Sequence, residues 1–101
     1  MNNLTFYVAE KQNHAGVLFY EWLLKEAREL GVHGGSVFRA IAGFGRHGRL
    51  NEDTFFELAG ELAVKVEFIL DDKLADQLLQ RVKAQSVQVF YTRHPLEAGI
   101  L

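Results

Sequence analysis

Hydrophobic residues in this chain change their spacing from two to about 3.6 and back, twice over, and that switching constrains its fold more than any other feature. Leu4, Phe6 and Val8 alternate with Thr5 and Tyr7, the pattern of a first strand. From Gly16 to Leu30 the period lengthens: Val17, Tyr20, Leu23, Leu24, Ala27 and Leu30 share one helical face, and Gly31 stands where a C-terminal cap belongs. Val37, Arg39 and Ile41 then alternate with Phe38, Ala40 and Ala42 in a second strand whose faces are both largely apolar. A third strand is clearer, with Val64, Val66, Phe68 and Leu70 alternating with Lys65 and Glu67. Asp71 and Asp72 cap a second helix carrying Leu74, Ala75, Leu78, Leu79 and Val82 on one face. Val87, Val89 and Tyr91 mark a fourth strand.

The resulting order, βαββαβ, predicts an α+β ferredoxin-like sandwich: a four-stranded antiparallel sheet with two helices on one face. A chain of 101 residues, 49% hydrophobic and 24% charged, has the material for one packed core, so residues 1–101 are read as a single domain. The formal net charge of −2, with both signs interspersed, makes no broad electropositive field and argues against a nucleic-acid partner. The absence of cysteine excludes disulfides, thiolate metal ligands and a cysteine nucleophile, and fits a reducing compartment. No apolar run approaches the roughly 20 residues of a membrane helix, and no leader pattern opens the chain. The expectation is a cytoplasmic protein without direct membrane insertion.

The chemistry concentrates in GVHGGSVFRAIAGFGR, Gly31 to Arg46. It closes a helix, runs through a strand and ends in glycines followed by Arg46 and Arg49. Gly43, Gly45 and Gly48 let peptide N–H groups converge on an anion while the arginines add fixed positive charge. The plainer reading is a turn and nothing more. Gly43 to Gly48 also satisfies the dinucleotide-binding fingerprint literally, but Arg49, Leu50 and Asn51 delay the helix that such a site needs, and the chain lacks the residues for a doubly wound sheet. The four histidines, His14, His33, His47 and His94, are scattered singly, which argues against a metal site. No nucleophile motif is present, and Ser36 and Ser86 have no evident partners, so neither catalysis nor a cofactor is assigned.

The segments GVHGGSV, GFGR and VKVEFILDD, in that order and spacing between Phe6 and Phe90, resemble the PII signalling proteins, and HAGVLFY at His14 to Tyr20 is similar to their bacterial PII-like branch of unknown function. The resemblance implies a ferredoxin-like homotrimer. It also implies a small anionic effector, commonly an adenine nucleotide, in the clefts between subunits, and a protein target that reads the loop 46–62. Carried over by position, Gly35 and Ser36 match contacts to the base, Gly43, Phe44 and Gly45 match the turn beneath the ligand, and Arg46 matches a phosphate contact. The pattern also departs from the family. No tyrosine lies between Gly43 and Leu62 for uridylylation, Val82 to Phe90 lacks the glycine-rich loop of the triphosphate cradle, and Ala63 replaces a phosphate-contacting lysine. Leu18 and Ala63 also stand where the bacterial branch typically has proline. The alternative is an oligomeric structural or metal-associated protein of the same fold that binds no nucleotide.

Three finer expectations follow. Leu18 and Trp22, off the main face of helix one, would offer a contact surface between subunits. Arg39 would extend its head to solvent or to Glu67. The segment from Arg46 to Leu62 reads as a loop with a turn of helix beginning near Asn51, in which Phe55, Phe56 and Leu58 either fold back as a local cluster or anchor a partner.

Overall fold

The computed structural model describes residues 1–43 and 63–101. Among these residues eight elements follow in order: β1 (Asn2–Ala9), β2 (Asn13–His14), β3 (Val17–Leu18), α1 (Phe19–Leu30), β4 (Gly35–Arg39), β5 (Ala63–Leu70), α2 (Asp72–Lys83) and β6 (Phe90–Pro95). The four longer strands form one antiparallel sheet in the order β4-β5-β1-β6, with β2 and β3 a separate small hairpin. This is the expected ferredoxin-like arrangement.

The period-two residues decide which face is buried. Leu4, Phe6 and Val8 of β1 stand beside Val64, Val66, Phe68 and Leu70 of β5, all at most 3% exposed, and the ring edge of Phe6 meets Phe68 at 6.4 Å between centroids. Phe19, Leu23 and Ala27 of α1 and Ala75, Leu78 and Val82 of α2 close the same core from one side. At about 1.5–3 kcal/mol per fully buried large apolar side chain, this layer supplies most of the driving force for folding.

The helix ends follow local chemistry. Gly31 takes φ +98°, its N–H reaching Arg28 O while Val32 N bonds Ala27 O at 3.0 Å, a Schellman closure that drops Val32 into the core. Asp71 caps α2 by accepting a 2.8 Å hydrogen bond from Leu74 N. Asp71→Ala removes that acceptor and is expected to cost about 0.5–2 kcal/mol of stability in urea melts, whereas Asp71→Asn retains an oxygen and should cost much less.

Three boundaries differ from those the periodicity predicts. The helix expected from Gly16 starts at Phe19, because Ala15 at φ +52° and Gly16 at φ +85° form a tight two-residue turn pairing Asn13 with Leu18 and His14 with Val17. Val17 and Leu18 therefore belong to a hairpin strand, and the expected Leu18 and Trp22 pair on one helix does not form. Trp22 instead stacks on Phe19 at 5.6 Å, with the His14 ring edge-on to both. The last strand begins at Phe90 rather than Val87, since pairing to β1 ends at Phe90 opposite Tyr7. Val87 and Val89 still pack against the core, so their alternation reports side-chain burial without main-chain pairing. The second strand likewise ends at Arg39, short of Ile41, which is almost fully exposed.

Candidate functional site

Of the residues singled out in the sequence, Gly35 and Ser36 lie on β4, an edge strand among the described strands, entered from α1 through His33 and Gly34. Gly35 pairs with Phe68 of β5, and a Cβ built on it would lie 2.4 Å from Phe68 Cε1 and 3.2 Å from a Leu24 methyl. Glycine is required here because the Phe68 ring occupies the place of its side chain, a packing cause separate from any ligand contact. Ser36 pairs with Glu67 on the opposite face and is exposed, as is Gly43 four residues beyond the strand. Phe44, Gly45 and Arg46, and the whole loop through Phe55, Phe56, Leu58 and Leu62, lie outside the described residues, as do Asn51 and His47.

Arg39 closes β4 with its side chain 64% exposed and both ends of its guanidinium on Glu10, one bond being Nε to Oε1 at 3.0 Å. The fork geometry suits a carboxylate. Hydrogen bonding to Arg39 holds the Glu10 carboxyl below its ordinary value and raises Arg39 above its own. The expected head in solvent is seen, but its partner is Glu10 and not Glu67. Arg39 faces the helix side opposite Val64, whereas Glu67 points to the other face, accepting from Asn3 Nδ2 at 3.1 Å and lying 3.6 Å from Lys65 Nζ.

Among the described residues no helix covers that other face of the sheet. It presents Tyr7, Phe38, Ile69 and Phe90, each between 38% and 56% exposed, with Tyr7 and Phe90 in ring contact at 5.6 Å and Lys65 above the Phe38 ring at 5.3 Å. Asn3, Thr5, Glu67 and Lys65 form a polar strip on the same face, Thr5 Oγ1 bonding Asn3 Oδ1 at 2.6 Å. Phe38, Tyr7 and Phe90 fall in one cross-strand row with Lys65, and Ile69 lies two rows away opposite Asn3. Sequence alternation contains this signal, because it names the residues on both faces.

On the helix side a groove of about 390 Å³ runs between the last turns of α1 and the start of β4. Leu24, Val32 and Gly35 line it, with Lys25, Arg28 and His33 at its rim and Glu21 the acidic residue among its lining. Periodicity does not reveal this site, since the cations lie on the helix face it assigns to solvent.

The remaining polar clusters hold the fold together. Arg93 of β6 reaches Asp76 at 2.7 Å and Asp72 at 3.3 Å, and the Asn2 amide also bonds Asp72. The Asn2 bond first, and Arg93 second, hold the Asp72 carboxyl below its ordinary value. Asp71 alone is the cap, and Asp72 ties the start of α2 to β1 and β6. Among the described residues no three His, Cys, Asp or Glu side chains gather as metal ligands, and no helix is long and apolar enough to cross a membrane.

Comparison with known proteins agrees with this architecture. A UPF0166 protein of Aquifex aeolicus (strain VF5) is 34% identical over 82 residues, covering 81% of this chain and 78% of the relative. A crystal structure from Thermus thermophilus, described as a PII-like signaling protein, superposes with a TM-score of 0.60 at 18% identity, over 92% of this chain and 83% of the other. Residues 1–98 match the model of the DUF190 family, described as an uncharacterized ACR. The chain thus belongs to the DUF190 family and has the PII-like, ferredoxin-like fold.

Proposed function

We propose that this chain is a regulatory protein that acts by binding: a small anionic effector, an adenine nucleotide foremost, sits in clefts between the subunits of a cytoplasmic homotrimer and biases the loop 46–62, which a protein target reads. The observation that carries this reading is the run from Gly31 to Arg46. It leads from a capped helix through an exposed edge strand to a glycine turn and an arginine, and the chain around it has the PII-like fold. Gly35, Ser36 and Gly43 are open to a ligand at that edge, and Phe44, Gly45 and Arg46 complete the proposed contacts. Among the described residues, the sheet face with the half-exposed Tyr7, Phe38, Ile69 and Phe90 supports assembly. Such a device switches only if the effector binds the two loop states with different affinity. No step of bond making is assigned to it.

Arg46 supplies charge-assisted hydrogen bonds to the effector's anionic group under this proposal. Arg46→Ala is therefore expected to weaken nucleotide affinity about tenfold or more, the scale of one lost charged hydrogen bond, without changing the melting temperature. Calorimetric titration of parent and variant with ATP, ADP and AMP measures this. Equal affinities would remove Arg46 from the site.

A further inference from the structure

We propose that the outward edge of β4, which no described strand pairs, together with the groove between β4 and α1, is a docking site for an extended acidic segment of a partner protein, which adds to the sheet as a fifth strand. The first argument is register. Ala40 N bonds Ala63 O at 2.9 Å, which makes residues 40 and 63 a hydrogen-bonded pair of the antiparallel ladder. By alternation Phe38 and Ser36 also spend their main-chain groups on β5, so Gly35, Val37 and Arg39 direct theirs away from the sheet. β4 is terminal in the strand order, so this row of donors and acceptors is a template for one more strand.

The second argument is charge. Lys25, Arg28 and His33 stand at the rim of the groove beside that edge, and among the described residues none of them makes an ion pair or hydrogen bond. The other guanidinium groups described, Arg39, Arg81 and Arg93, are all held by carboxylates. Lys25 and Arg28 against one acid among the lining, Glu21, favour an acidic occupant. The third argument is shape. In a strand added here alternate side chains would point toward α1, where Leu24 and Val32 line an apolar bottom below the cationic rim. An extended segment alternating small apolar and acidic residues satisfies all three. The site shares the β4 edge with the effector contacts proposed at Gly35 and Ser36, and because it is tested without nucleotide its failure leaves the effector reading standing.

The probe is a synthetic octapeptide of alternating glutamate and valine, titrated into the ¹⁵N-labelled full chain. Saturable shifts are expected from Gly34 to Arg39, with slowed exchange of the Val37 and Arg39 amides, and no saturable shift with the lysine-valine counterpart. Lys25→Glu combined with Arg28→Glu should weaken binding about tenfold or more. Val37→Pro should do the same by deleting an outward N–H at a position where an edge strand tolerates proline. If either variant fails to fold, Lys25→Gln with Arg28→Gln carries the comparison, with a smaller loss expected. The proposal is overturned if both peptides bind alike, if neutralising or reversing the cations leaves affinity unchanged, or if the Val37 and Arg39 amides are already protected in the free protein. In that last case a second copy or the chain itself covers the edge.

Discussion

Phe68→Ala is expected to cost about 3–5 kcal/mol of unfolding free energy, a large fraction of the whole for a chain of this size. Phe68 is 1% exposed, fills the centre of β5, meets Phe6 edge-on and covers the bare backbone of Gly35. Truncation loses the transfer energy of the ring and leaves a cavity beneath α1. The reciprocal change is informative: Gly35→Ala places a methyl group 2.4 Å from Phe68 Cε1, and the shift it forces is expected to cost about 1–3 kcal/mol. The two losses should not add. In a Phe68→Leu background the Gly35→Ala cost should shrink, because the atoms it collides with are gone, and a double-mutant cycle in urea melts measures that coupling. Additive losses would mean that glycine at position 35 answers to something other than the ring.

The second large effect concerns assembly. Phe90→Lys combined with Ile69→Lys places two charges on the uncovered sheet face while leaving the core intact. Both side chains are substantially exposed, and changes at such positions typically move the stability of one chain by about 0.5 kcal/mol or less. A trimer closing on this face would have to desolvate both ammonium groups. Sedimentation velocity is expected to show the parent as a trimer and the variant as a folded monomer with native far-ultraviolet dichroism. A variant that sediments like the parent would move the subunit contacts off this face.

The fold was legible because its core elements obey a single period each. Val64 to Phe68 alternates strictly, Leu70 keeps the same face, and Asp71 follows with the side chain that caps the helix. Gly31 needed only its position after Leu30 to be recognised as a C-cap. The hairpin at Asn13 to Leu18 was not legible. Its turn is Ala15-Gly16, with an alanine at positive φ in place of the asparagine or aspartate that usually signals such a turn, and Val17 happens to satisfy the helical period. Val87 and Val89 misplaced the start of β6 for a related reason: alternation reports which side chains are buried, while a strand is defined by main-chain pairing.

The candidate site residues can be named from the sequence, but their surroundings cannot. The family resemblance marks Gly35 for ligand contact, and its surroundings supply a packing reason that only the β4 to β5 register reveals. Arg39 stands out as a charge on an apolar strand, but Glu10 lies 29 residues away in sequence and becomes its partner only when the ends of β1 and β4 are brought together. Lys25, Arg28 and His33 look like ordinary solvated residues on a helix and in a loop until the groove beside β4 is seen.

Native mass spectrometry of the purified chain with equimolar ATP, ADP and AMP tests the central claim most directly, because it reads assembly and effector binding in one spectrum. The account predicts a trimer carrying up to one nucleotide per subunit, with that occupancy lost in Arg46→Ala while the trimer persists. A chain that remains monomeric, or a trimer that takes up none of the three nucleotides, would contradict it.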